Sequence, residues 1–288
     1  MKSINYLVSI FALSAFLFSA CDIVEGPRTD GNNGGPGDTT KNVQKVLLEY
    51  FTGHKCGNCP EQAAQFPTFE NTFGEQFIFI SVHAGSLAEP SLNPDPNAKY
   101  KYDFRTSVGN EIYTDFNLSG VPNGLVNRSE YNGSVIQSAG AWASAIQQHI
   151  NTEPVAKLDV NNSYDEVSGV ISTDVKTTFL KEKTATMNLV VYVIEDKIVK
   201  WQKDYTVNPQ DLPDYEHKNV LRGSMNNTYG DQIANGTVDA GTELFNQFTY
   251  NSKTQLDSTF NVNNSYTVTF VMDDATKEIL QVEKTKVN

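Results

Sequence analysis

Apolar and polar positions change their rhythm part-way along this chain. Up to about residue 153, continuous apolar runs alternate with stretches whose apolar residues recur every three or four positions; beyond it, segments are short, rich in Val, Thr and Tyr, and bounded by Asn, Asp or Gly. Residues 46–51, VLLEYF, read as a buried central strand. Pro60 suits the first turn of a helix, and Ala63, Phe66, Phe69 and Phe73 give residues 60–73 one apolar face, with Pro67 expected to kink it. Residues 76–84, QFIFISVHA, are a second buried strand, so strand, helix and strand imply a βαβ unit with a parallel sheet. A looser insertion over 85–104 follows. The pattern then predicts a helix over 106–116 with Val108, Ile112 and Phe116 on one face, and a strand over 123–127. A helix over 135–150 should turn Ile136, Ala139, Ala143, Ile146 and Ile150 inward.

The second half offers eight strand candidates: 156–161, 167–179, 187–195, 198–205, 221–225, 243–250, 266–272 and 279–287. Their spacing and turn chemistry predict an antiparallel, immunoglobulin-like sandwich. In the third, Leu189, Val191 and Val193 alternate with Val190, Tyr192 and Ile194; with both sets apolar, that strand should be central. Asp211 to Asp214 and Asp273-Asp274 read as turn residues, because no twelve-residue calcium loop accompanies them. Trp201 and Tyr205 fit core or edge packing better than an exposed binding surface.

Composition adds an address. Lys2 precedes an apolar run from Tyr6 to Phe18, so residues 1–20 read as a secretory signal peptide, too short to span a membrane stably. Phe18-Ser19-Ala20-Cys21 resembles a bacterial lipobox, at which cleavage leaves Cys21 acylated; plain secretion is the alternative. Residues 21–42 are Gly-rich and almost without apolar side chains, a flexible tether. The formal net charge of −12 repels nucleic acid, which is excluded as a partner.

Cysteine usage brings in chemistry. The chain has three cysteines, and Cys56-Gly57-Asn58-Cys59 holds two of them, directly after the first strand. A CxxC that opens a helix inside a βαβ pattern resembles the thioredoxin fold, and Gly120-Val121-Pro122 resembles that fold's cis-proline loop. The expected architecture is therefore an α/β thioredoxin-like domain over 43–153 followed by an all-β sandwich over 154–288. With Cys56 at a helix start, the positive end of the helix dipole favours thiolate, making Cys56 the nucleophile, Cys59 the resolving thiol and Pro122 the client-binding loop. Lys55 and a protonated His54 would add positive charge, and Glu49 is the one nearby strand carboxylate able to accept a proton, although its spacing departs from the thioredoxin pattern. The rival reading is a structural Cys56–Cys59 disulfide, which an oxidising envelope favours whatever its purpose. Zinc would need His54 and His83 to join both cysteines; no metal site and no cofactor is expected.

Tyr50 to Pro60, Gly120-Val121-Pro122, residues 214–223 (DYEHKNVLRG) and the ending TVTFV to EILQV together resemble the outer membrane protein 28 family, lipoproteins of Bacteroidota. The resemblance spans about Val46 to Val287. It implies a lipid-anchored protein of the cell outer membrane, periplasmic or surface-exposed, held by lipid on Cys21. Two functions stay open: a thiol-disulfide oxidoreductase acting on protein clients, and a non-enzymatic adhesin- or receptor-like protein that binds a surface ligand. His217 and Arg222 sit either between the halves near the cysteine loop or as caps on a strand.

Overall fold

VLLEYF lies in strand β1 (Val46–Thr52), every residue of which is buried. The structure, a computed structural model, describes residues 42–287. The signal peptide, Cys21 and all but the last residue of the tether lie outside the described residues. After the cysteine loop come two short helices, α1 (Cys59–Ala63) and α2 (Phe66–Phe73). They replace the single kinked helix expected over 60–73. The break falls at Ala64 and Gln65, and Pro67 sits in the first turn of α2, where a missing N–H costs no helical bond. Strand β2 (Phe77–His83) pairs parallel with β1, from Val46 opposite Phe77 to Thr52 opposite His83. The insertion leads into α3 (Ser107–Asp115), capped by Thr106, whose side chain accepts from Gly109 N. Strand β3 (Asn123–Val126) runs antiparallel along the other side of β1.

The helix expected over 135–150 is helical only in its second part. Ile136 and Gln137 form β4 (Ile136–Gln137) against β3, and α4 (Trp142–Ile150) follows. The inward face of α4 is Trp142, Ala145 and Ile146, while Ala143 is exposed. Trp142 sets this phase: its bulk is buried, and its Nε1 donates to Gln137 O at 3.0 Å.

The remaining strands are β5 (Ala156–Asp165), β6 (Val170–Phe179), β7 (Lys183–Glu195) and β8 (Ile198–Lys203). Then come β9 (Asp211–His217), β10 (Val220–Ser224), β11 (Asp231–Val238) and β12 (Glu243–Asn251). A short α5 (Ser252–Gln255) precedes β13 (Ser265–Asp273) and β14 (Ile279–Lys286). Strands β9 and β11 were not expected. Asp211 and Asp214 belong to β9 rather than to a turn; β9 pairs with β8 alone in a two-stranded sheet, where Pro213 is tolerated at an edge. Asp273 does hold a turn, its Oδ1 accepting from Ala275 N at 3.0 Å.

One sheet of nine strands runs in the order β14-β13-β7-β10-β2-β1-β3-β4, with β11 also on β7. It continues past residue 153, because β10 lies parallel to β2 with Val220 opposite Ser81, and Ser81 N donates to Asn219 O at 2.8 Å. β7 is central, as its double apolar pattern requires. Val190, Tyr192 and Ile194 share a core with Leu47, Ile80, Val82 and the α3 residue Ile112. On the other face Leu189 and Val191 meet Ala156, Leu158, Val175 and Phe179 from a three-stranded sheet, β12-β6-β5. The opposite face of β1 and β2, with Leu48, Tyr50 and Phe79, is covered by Phe66 and Phe69 of α2 and Trp142 of α4. The molecule is thus β-rich, with α1 to α4 gathered around the first half of the large sheet and the short α5 against β6 and β12.

Candidate functional site

β1 delivers the chain to the cysteine loop at Gly53. A side chain there would strike the backbone of Leu87 at 2.6 Å, and this close approach lets Lys55 N donate to Leu87 O at 3.0 Å. The loop then tightens, with Cys56 N bonded to Gly53 O at 2.9 Å. Cys56 and Cys59 are joined in a disulfide. Cys59, not Cys56, is the first residue of α1, which has only five residues, so Cys56 precedes the helix that was expected to polarise it. Both sulfur-bearing residues are buried, at 2% and 1% exposure. Cys56 Sγ lies 3.8 Å from the carbonyl oxygen of Val121, and the Val121–Pro122 peptide bond is cis. The loop and the Pro122 turn therefore meet.

A second element closes over the loop from the far half of the chain. Lys203 N donates to His54 O and Tyr205 N to Gly57 O, each at 2.8 Å. Gln202 Nε2 reaches Cys56 O at 3.0 Å and Gly53 O at 3.3 Å. The Tyr205 ring rests on Gly57, where any Cβ would lie 2.6 Å from it. The cysteine loop is thereby stitched to the end of β8 much as one strand is to another. Sequence reasoning singled out Tyr205 only as an aromatic and missed Gln202; a buried glutamine has no local signature.

The supporting residues do not gather at the sulfurs. Glu49 points to the other face of the sheet. It is fully buried and paired with Arg128, whose Nη2 and Nε sit 2.6 and 2.7 Å from its two oxygens. Burial alone would lower the pKa of Arg128, but Glu49 and Tyr192 hold it well above the usual guanidinium range. Glu49 is thus an ion-pair partner rather than a proton acceptor for a thiol. His54 is buried, with its Nε2 3.0 Å from Glu89 O; burial lowers its pKa, so it adds no charge beside Cys56. Lys55 is half-buried and engages Leu87 through its backbone.

Three histidines meet around Phe104: His54, His83 and His217 have ring centroids 5.7, 4.4 and 4.4 Å from it. His217 therefore lies between the halves, 5.4 Å from His83. Burial pushes His217 down to about 3, and it pushes His83 well below the usual imidazole value, with His217, His54 and Arg222 adding to the effect. Arg222 is buried too, 3.3 Å from Glu195 and in contact with Asp257 and Tyr102. Among the described residues no cluster of His, Cys, Asp or Glu has the arrangement of a metal site, and no helix is long and apolar enough to cross a membrane.

Comparison with known proteins adds a family. The family model described as outer membrane protein Omp28 matches residues 109–288, from α3 onward, so the cysteine loop lies before the match. Among solved structures the chain is similar to HBP35 of Porphyromonas gingivalis, with 14% identity and a TM-score of 0.61, over 86% of this chain and 76% of that one. It is also similar to a domain of the outer membrane lipoprotein Omp28 from Porphyromonas gingivalis, with 22% identity and a TM-score of 0.32, over 46% of this chain and 96% of that one. No curated protein matches the chain.

Proposed function

The chain belongs to the family of outer membrane protein Omp28, which places it at the outer membrane, and from that premise we propose that it is a non-catalytic binding lipoprotein anchored through Cys21. In this reading the Cys56–Cys59 disulfide fastens the fold and does not exchange with clients. The observation that carries it is the closure of the loop. Exchange requires a thiolate to reach a disulfide sulfur, and here both cysteines are buried in an apolar cluster with Tyr50, Phe66 and Trp142, while the hairpin occupies the loop's carbonyls. The groups that would tune a nucleophile are engaged elsewhere, Glu49 with Arg128 and His54 with Glu89. The order of strand, cysteine pair, helix and parallel strand, with the Pro122 turn beside Cys56, supports a thioredoxin-like reading of residues 43–153, retained as scaffold. The second sheet over β7 and β13 supports the sandwich reading of 154–288.

A thiol-disulfide oxidoreductase is the second reading, favoured by the contact between Cys56 and the Val121–Pro122 turn. It requires the hairpin to move. The two readings separate in an insulin-reduction assay paired with maleimide labelling after dithiothreitol, in native buffer and in urea. The binding reading expects no acceleration over dithiothreitol alone and labelling that is fast only in urea. Acceleration that disappears in Cys56→Ser would sink it.

A further inference from the structure

A cleft of about 390 Å³ opens on the Cys59 side of the disulfide, between α1 and α2 and the β8–β9 hairpin. Strand alternation builds its floor: Tyr50 and Thr52 of β1, with Phe79, Ser81 and His83 of β2, fall on one face of the sheet. An aromatic wall with a few convergent polar groups is the make-up of a small-molecule site, whereas packing defects are smaller and apolar. One side chain in this lining is left incomplete by the fold: Asp204, 8% exposed, accepts hydrogen bonds on Oδ1 alone, and its other oxygen has no partner among the described residues. Buried polar groups are nearly always bonded, so a free carboxylate oxygen in a cleft wall points to an occupant that completes it.

The charge of the lining selects the occupant. Its carboxylates are Glu70, Asp204 and Glu216, set against one ammonium, Lys218. Asp204 is buried and held by Thr206, whose N and Oγ1 donate to its Oδ1 at 2.8 and 2.7 Å. The buried imidazoles of His83 and His217 are neutral and add no positive charge to this wall. Aromatic faces attract cations as well.

We propose that this cleft binds a small organic cation, its ammonium group directed at Asp204 and its aromatic or aliphatic body lying against Tyr50, Phe66 and Phe79. The inference rests on the binding reading above and narrows it to a ligand class. The test titrates the full chain by calorimetry with tryptamine and, separately, with indole-3-propionate, which has the same ring and a carboxylate in place of the ammonium. Tryptamine should bind saturably and at least about tenfold tighter than the carboxylate. Asp204→Asn should narrow that ratio severalfold at an unchanged melting temperature, and Ala63→Phe should abolish binding by filling the cleft. If Ala63→Phe fails to fold, Ala64→Phe at the exposed end of α1 replaces it. No saturable heat from tryptamine, equal affinity for both indoles, or a ratio untouched by Asp204→Asn would each overturn the proposal. A failed titration with an inert disulfide removes the ligand class alone; accelerated insulin reduction removes the binding reading whatever the amine does.

Discussion

Burying a carboxylate and a guanidinium together, as the fold does with Glu49 and Arg128, strips both of hydration worth several kcal/mol each. Two short hydrogen bonds offset this only while both partners stay. Glu49→Gln should therefore lower stability by about 3–5 kcal/mol in urea denaturation and leave the labelling rate of the cysteines in unfolded protein unchanged. Parity along β1 was readable in the sequence: position 49 alternates with 48 and 50, which face α2. The partner was not, because no local pattern announces an arginine 79 positions away. The histidines argue a second residue-scale outcome. His54, His83 and His217 have folded pKa values below those of the unfolded chain, so unfolding takes up protons and stability rises with pH. Their contribution is complete above an unfolded value near ~6.5 and is lost as pH falls toward the folded values, about 3 for His217. Each fully buried ring should cost about 1.4 kcal/mol per pH unit in that window. Urea midpoints between about pH 7 and about pH 5 should drop, and His217→Phe should flatten the slope. A pH-independent midpoint would show the rings to be charged or solvated.

At the scale of elements, the β8–β9 hairpin decides whether the cysteine pair is chemistry or carpentry. β8 was legible from its Ile, Val and Trp. β9 was hidden, because DLPDYEH carries the acids and proline of a turn, and only its position at the rim of a two-stranded sheet makes it a strand. Helix α4 was misphased for a related reason: small alanines made a regular pattern, while the large Trp142 decided the packing. Removing the hairpin's grip with Gln202→Ala and Tyr205→Ala deletes hydrogen bonds and ring contact worth about 1–3 kcal/mol. Native-state reduction by dithiothreitol, followed as the rate of maleimide labelling, should then rise by about tenfold or more. An unchanged rate would mean that something other than the hairpin shields the sulfurs.

For the whole molecule, the compositional change near residue 153 marks a change of architecture without a break in the sheet. Leu47, Ile80 and Val82 share their core with Tyr192, Leu221 and Phe270. A fragment of residues 43–153 would expose that apolar face along with the edge of β2, and it should show no cooperative thermal transition, while residues 43–288 melt as one unit by calorimetry. A sharp transition in the fragment would mean that the first half is self-sufficient. The sequence could not reveal the junction, since β2 and β10 meet through a single registered pair, Ser81 with Val220.

The entry to β1 has a mechanical consequence. Gln44 donates to Leu280 O at 3.1 Å, Lys45 pairs with Glu283 at 2.7 Å, and the strand that follows is bonded to β2 on one side and β3 on the other. A pull on the amino end runs along this strand and loads its hydrogen bonds together, in shear, instead of peeling them apart in turn. Survival under drag is governed by the rate of rupture rather than by equilibrium, and a strand gripped on both flanks is well placed to keep that rate low.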